Sequence, residues 1–496
     1  MTEINYSDIL LLLIPETILV ISALGVLTAD LLWIRESPTV HRQTIAFGMT
    51  VFGCLAAVIS IIMGSPITEE HWLNLGGVTG TVKIGLIGLT LSALALSTRS
   101  ALTQHIGELY LIVLLALVGM LLMASANHLL LAFLALELVS LSFYTLVAFH
   151  KRSRSAIEGA LKYFLLGGVA AAFTAFGMSF IYGATHSLSF SQIAIQVSAP
   201  PLSPLMFIGM IAIAIGFGFK IAAVPIHLWA PDVYQAAAPP IGALIASASK
   251  LASFYLFARL WMIGLGPLVG PTGVDTMTGG WLVILASLAL SSLVIGNLVA
   301  ITQSSMKRLL AYSAIAHAGY VLLGIMANNS HGMASMIYYL ITYGLAITGA
   351  FALVQLVEKQ YGDDQITSFA NLHRQLPVEA FCLLIFLLSL AGIPPLAGFF
   401  GKFYLFAAAL QSAQAPGLMF WLVVISIAMS AVSLYYYLRV LKQVYVFDEE
   451  ASKEGFRSDP TLRAVAIIMA AGVILLGCFP DLVVRDLLGG LGVTVP

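Results

Sequence analysis

Residues 220–234 read KIAAVPIHLWAPDVY and close an apolar run that begins near residue 204. Pro225 has no amide donor and its ring displaces the carbonyl of Ile221, so a helix entering this stretch is broken beside Lys220. A second stretch, LSLAGIPPLAGFFGKF at residues 388–403, repeats the device. Pro394 and Pro395 fall in mid-run and free the carbonyls around Leu390 and Ala391, and Lys402 follows seven residues after Pro395. Freed backbone groups at membrane depth need protein or water as partners. Two such breaks in corresponding places point to a transport site between inverted repeats. The lysine precedes one break and follows the other, so the internal symmetry is loose, and no residue-level repeat is visible.

The rest of the chain reads as membrane. Of 496 residues, 60% are hydrophobic and 9% charged, and the mean hydropathy is +0.99. About fourteen apolar stretches have the roughly 18 residues that cross a bilayer. They fall near 9–33, 44–63, 82–98, 107–125, 128–149, 156–183, 204–224, 240–263, 281–301, 309–327, 332–357, 378–410, 419–445 and 462–479. The longest connections, 358–377 and 446–461, are too short to fold alone. The sequence therefore predicts an all-α polytopic membrane protein of a single membrane domain, with the seventh and twelfth helices discontinuous. A net charge of −1 with no basic tract excludes a nucleic-acid footprint. Cys54, Cys382 and Cys478 are far apart in apolar runs and suggest neither a disulfide framework nor a metal cluster. The acidic opening MTEINYSD lacks the basic region and small-residue site of a cleaved signal, so the first span is expected to be retained.

Orientation follows from the cations. Odd-numbered loops and adjoining helix ends hold Arg35, Arg42, Arg99, Lys151, Arg152, Arg154, Lys307, Arg308, Lys359, Arg374, Lys442, Lys453, Arg457 and Arg463, against Lys83 and Arg485 elsewhere. Positive loops stay in the cytoplasm, which places both termini on the opposite face.

Glu137, Lys162, Lys220, Lys250, Arg259 and Lys402 lie inside apolar runs. Each such charge costs about 2.5–3.5 kcal/mol on insertion scales, so it normally faces a bundle interior and handles ions or protons. Desolvation favours the neutral amine, whereas a nearby carboxylate favours the ammonium. Glu137 near Lys220 would thus form a switch, and a row through Lys250 to Lys402 would pass protons laterally. His227 and His317, the histidines deepest in spans or breaks, are candidates for relay or for packing.

Three segments carry a resemblance: KIAAVPIHLWAPDVY with ALIASASK ending at Lys250, MKRLLAYSAIAHAGY from Met306 to Tyr320, and AGIPPLAGFFGKF. Together they resemble the N-subunit family of bacterial proton-pumping NADH:quinone oxidoreductase, respiratory complex I, a branch of the antiporter-like membrane subunits. The similarity spans the whole chain. It implies three N-terminal helices over 1–106, two inverted five-helix repeats (helices 4–8 over 107–263, helices 9–13 over 281–445) and a fourteenth helix at 462–479. It also implies proton-path roles for Glu137, Lys220, Lys250 and Lys402, with Lys162, His227 and His317 secondary. The subunit itself would bind no cofactor or metal, since NADH, FMN, iron-sulfur clusters and quinone belong to other subunits. Its partners would be the other antiporter-like and small membrane subunits and the lipid of a bacterial inner membrane. After PDVY the family commonly has a Gly and a hydroxyl residue, where this chain has Gln235, Ala236, Ala237, Ala238, Pro239 and Pro240.

Plainer readings stand beside these. Lys162, two turns past Lys151, Arg152 and Arg154, has a snorkelling surface lysine as its alternative reading. Arg259, late in its span, reads as a helix-end pin. Glu137 reads otherwise as a hydrogen-bonded lock between helices. At the level of function, the alternatives are a subunit of a multisubunit Na+/H+ antiporter and a scaffold or small-anion carrier with no pumping role.

Overall fold

The computed structural model describes residues 11–64, 69–70, 72–98, 103–151, 153–198, 203–270, 280–447 and 458–493. The opening MTEINYSD and the cations Arg99, Arg152, Lys453 and Arg457 lie outside the described residues.

Six helices come first: α1 (Ile14–Leu32), α2 (Thr39–Met63), α3 (Gly77–Ser97), α4 (Ile106–Ser125), α5 (Leu129–Val147) and α6 (Arg154–Thr185). A two-stranded antiparallel ribbon, β1 (Glu69–Glu70) and β2 (Leu73–Asn74), lies between α2 and α3. A short α7 (Phe190–Val197) precedes α8 (Pro204–Lys220), which stops at the first break and resumes as α9 (Trp229–Ala236). The eighth span is α10 (Pro239–Ala246) and α11 (Ala248–Arg259), interrupted at Ser247 and ending in a π-helical turn at Leu260–Gly264. Long helices follow as α12 (Trp281–Ile301), α13 (Met306–Met326) and α14 (Ser330–Tyr361), then a turn, α15 (Leu372–Gln375). The second broken span is α16 (Pro377–Ala391) with α17 (Ala397–Leu410), and α18 (Pro416–Tyr445), α19 (Pro460–Cys478) and α20 (Asp481–Gly490) end the chain. Eleven of these helices, and α10 with α11 through Gly264 taken as one span, are long and apolar enough to cross a membrane, and the two broken spans complete fourteen.

Local chemistry fixes the ends. Proline opens α8, α10, α16, α18 and α19, where its missing N–H costs nothing. Side chains of Ser153, Ser203, Ser305, Asn329 and Asp459 accept the first free amides of α6, α8, α13, α14 and α19. Small residues then let backbones approach. A Cβ on Gly216 of α8 would lie 2.8 Å from the Ala170 carbonyl of α6, and one on Gly296 of α12 would lie 2.5 Å from the Ala316 nitrogen of α13. Such small-residue crossings replace the hydrophobic drive that lipid cannot supply.

Burial sorts the helices. α10, α11, α13 and α14 are almost wholly inside, whereas α2, α6 and α18 keep broad apolar faces outward, among them Phe52, Phe176 and Trp421. The core of the molecule is thus the region between the two broken spans.

One sequence expectation is corrected here. Lys83 is no loop cation: it lies within α3, 1% exposed, its Nζ 2.7 Å from Glu16 Oε1 of α1. Glu16 lies 67 residues away, so nothing local marked the pair. Arg42 likewise turns inward from the start of α2 to make a two-pronged ion pair with Asp30, at 2.8 and 2.6 Å.

Candidate functional site

The seventh span ends its first half at Lys220, so the amine belongs to the last turn of α8, where free carbonyls give the helix its negative end. Its Nζ donates to the Ser140 hydroxyl of α5, one turn past Glu137. Among the described residues Glu137 and Lys220 form no ion pair. Glu137 is half-buried on the same helix and within electrostatic reach of the amine. The two members of the expected switch are therefore neighbours held apart, with a hydroxyl taking the carboxylate's place.

The break itself is served from across the core. Ser292 of α12 accepts the Val224 N–H at 2.9 Å and Ser291 donates to the Val224 carbonyl at 3.1 Å. The Trp229 indole donates to the Phe219 carbonyl at 2.9 Å. His227 sits in this turn, 8% exposed, with a buried Nδ1 that has no hydrogen-bond partner.

In the twelfth span the lysine comes after the break but reaches back across it. Lys402 Nζ donates to the carbonyls of Leu390 and Ala391, at 3.1 and 2.9 Å, and to Ser430 Oγ of α18 at 2.8 Å. These carbonyls are the ones that the prolines free. Gly392 makes room for the reach: its φ is +92°, and a Cβ there would stand 3.1 Å from Lys402 Cδ. Opposite sequence orders thus converge on one arrangement, a lysine at the carbonyl end of an interrupted helix. A cavity of about 350 Å³, lined by Ala391, Gly392, Phe399, Lys402 and Ser430 among others, opens to this amine.

Between the two ends lie Lys250 and His317. Lys250, 4% exposed, donates to the Ala314 carbonyl of α13 and stands 5.7 Å from the centre of the Tyr343 ring. His317, one turn past Ala314 in α13 and 3% exposed, bonds the Tyr339 hydroxyl through Nδ1 and the Tyr437 hydroxyl, at 3.2 Å, through Nε2. Its ring lies 4.9 Å from that of Tyr343 and 5.7 Å from that of Tyr320, over which Lys402 stands at 4.9 Å. Tyr343 and Tyr320 therefore connect Lys250, His317 and Lys402 through ring contacts. The tyrosine hydroxyls of this group escaped the sequence reading, because aromatic residues in apolar helices look like packing until their hydroxyls meet a histidine.

Lys162 is placed elsewhere. Its side chain is 45% exposed and ion-paired with Glu158 at 2.7 Å and Asp232 at 2.8 Å. Asp232 also receives Arg308 at 2.8 Å. The structure does not gather Lys162 with the buried amines, and burial inside its run is corrected to a half-exposed cluster. Arg259 donates to the Ala124 carbonyl at 2.9 Å and to Asn127 Oδ1 at 3.4 Å, pinning the end of α4. Among the described residues no group of three or more His, Cys, Asp or Glu side chains is gathered to hold a metal ion.

The family described as NADH:quinone oxidoreductase/Mrp antiporter, TM, matches residues 126–430, which include both breaks and every buried amine of the row. The NADH-quinone oxidoreductase subunit N 2 of Acidobacterium capsulatum is 45% identical over 495 residues, covering 98% of this chain and 99% of its own. Subunit N of Nitrosomonas europaea is 35% identical over 94% of this chain and 95% of its own. Among solved structures, a chain of the respiratory complex I from Thermus thermophilus with bound aureothin superposes with a TM-score of 0.79 at 34% identity, covering 96% of this chain and 99% of that one. A chain of the Mrp complex from Dietzia sp. shares the fold at 18% identity and a TM-score of 0.81, covering 96% of each. With both broken spans, the buried lysines and full-length likeness in agreement, the chain belongs to the subunit N family of NADH-quinone oxidoreductases.

Proposed function

We propose that this chain is a proton-translocating membrane subunit of an NADH:quinone oxidoreductase, moving protons while electrons pass from NADH to quinone in other subunits. The observation that carries the reading is the pair of interrupted helices, each holding a lysine at its freed carbonyl end, with Lys250 and His317 between them. Buried ionisable groups in such a position mark ion or proton pathways.

In this reading residues 107–263 and 281–445 are the two inverted repeats, and the proton row runs from Glu137 and Lys220 through Lys250 and His317 to Lys402. The open arrangement, with Lys220 on Ser140, is one state of the switch. When Glu137 approaches, the ammonium is favoured and a proton is held; when it withdraws, the poorly hydrated amine releases it toward Lys250. His227 lies in the first break, seven residues after Lys220. Each transfer needs bridging water, because hydrogen bonds alone do not join Lys220 to Lys250.

The subunit supplies this proton chemistry and binds no redox group; flavin, iron-sulfur clusters and quinone are held by other subunits. Its partners are other membrane subunits, and the surface supports that: Pro225, Leu228, Pro394 and Pro395 are exposed within the irregular segments of the two breaks, and lipid-facing irregular segments do not occur at membrane depth. The location is a bacterial inner membrane, with the odd loops in the cytoplasm and both termini opposite. Moving Lys83 into an internal ion pair sharpens that charge asymmetry.

Lys220→Ala tests the reading. The complex assembles and oxidises NADH, yet proton uptake into inverted vesicles drops sharply; undiminished uptake in the assembled variant overturns it. The related cation antiporters share the architecture, and sodium-dependent proton exchange by the isolated chain would favour that second function.

A further inference from the structure

The cluster around Asp232 lies outside the proton row and takes in one of its expected members. Asp232 sits on α9, the short second half of the first broken span. Its Oδ2 accepts from Lys162 of α6 and its Oδ1 from Arg308 of α13, both at 2.8 Å. Arg308 also donates to Gln235 Oε1 at 3.2 Å. At the C-terminal end of α9, Lys307 Nζ donates to the carbonyls of Ala237 and Gln235 at 3.1 and 3.4 Å and pairs with Glu358 of α14 at 2.5 Å. Two neighbouring helices, α6 and α13, thus grip an element of eight residues by its one carboxylate and the carbonyls at its C-terminal end, with Glu358 of α14 holding Lys307.

The other end of α9 leads to Lys220. Trp229, its first residue, bonds the carbonyl of Phe219, immediately before that lysine. The Trp229 ring stacks on Tyr163 at 4.4 Å, and Tyr163 follows Lys162 in sequence. Tyr163 in turn meets Tyr144 edge-on at 4.8 Å, one turn past the Ser140 that receives the amine. Both partners of the ion pair are therefore connected, through one ring stack, to the two sides of the Lys220 hydrogen bond.

We propose that Asp232 and Lys162 are positioning residues: their ion pair, completed by Arg308, holds α9 so that Lys220 stays on α5 beside Glu137, and Lys162 serves as a fixed cation rather than a proton carrier. The exposure fits. A lysine that is 45% exposed and bound to two carboxylates has the water and counter-charge of a surface ion pair, not the dry setting of the row. This inference rests on the proposed role of Lys220.

Arginine separates the two roles, because a guanidinium keeps the ion pair but does not give up its proton near neutral pH. In assembled complexes, with proton uptake measured per NADH oxidised, Lys162→Arg keeps pumping while Lys162→Met loses part of it. Asp232→Glu retains what Asp232→Asn loses. Adding Lys162→Met to Lys220→Ala brings no further loss, since both act on one site. If Lys162→Arg loses pumping as fully as Lys162→Met, the lysine carries protons and the proposal falls. It falls equally if Lys162→Met pumps like the parent. Should Asp232→Asn fail to assemble, the Lys162 variants decide alone. Full pumping by Lys220→Ala would instead sink the proton-row reading, a separate outcome.

Discussion

Lys402 has three oxygen partners and a tyrosine ring, Lys250 a carbonyl and a ring, and Lys220 a hydroxyl and the ring of Phe219. The sequence betrayed all three, because an amine in an apolar run is an anomaly visible without coordinates. It did not betray what each amine touches. Lys162 also lies in an apolar run, two turns past Lys151, Arg152 and Arg154, and its carboxylate partner Asp232 comes from 70 residues away and draws it into an exposed cluster. Solvent screens such an exposed pair, so its value lies in geometry rather than stability. His317 was legible as a histidine in a span, but its bridging place between Lys250 and Lys402 depends on the rings of Tyr343 of α14 and Tyr320 of its own helix, and its ring nitrogens are held by Tyr339 and Tyr437. His317→Leu removes the one imidazole between those lysines while leaving an apolar side chain in a well-packed site. The expected outcome is an assembled complex that oxidises NADH but takes up fewer protons per NADH. Unchanged uptake would route the protons through tyrosine hydroxyls and water alone.

At the scale of elements, prolines made both breaks readable, and the carbonyls expected to be freed at Leu390 and Ala391 are those that Lys402 binds. The apparent mismatch, a lysine before one break and after the other, dissolves in three dimensions because a long side chain spans the gap backwards. Gly392 is what permits this. An alanine there meets a backbone conformation that favours glycine, at roughly 1–3 kcal/mol, and its methyl presses on the Lys402 stem. Gly392→Ala should therefore lower the thermal stability of the complex and reduce proton uptake together, whereas Ser430→Ala, which leaves the amine its two carbonyl partners, should leave stability nearer the parent. Parent-like thermal inactivation and uptake in Gly392→Ala would mean that the break tolerates a side chain. Ser291 and Ser292 were not singled out by sequence, since serine in a span is unremarkable until a broken backbone faces it.

At the scale of the molecule, α1 to α3 stand outside the two proposed repeats and hold together by charge as well as packing. Glu16 and Lys83 form one internal ion pair near the start of α1 and α3, and Asp30 with Arg42 forms another at the far end of α1, where the Gly107 N–H also binds Asp30 at 2.9 Å. Removing one partner of a buried pair leaves an uncompensated charge and costs about 3–5 kcal/mol, whereas replacing both with apolar side chains of similar volume is often neutral or better. Glu16→Ala should accordingly release the N-terminal helices, seen as a lower melting temperature and loss of the subunit from detergent-solubilised complex. The double variant Glu16→Leu with Lys83→Leu should restore retention. Proton uptake per NADH in that double variant separates a structural role from a proton-handling one: unchanged uptake assigns the pair to architecture alone. A loss of uptake with full retention would add Lys83, whose amine borders a cavity of about 110 Å³, to the groups that handle protons.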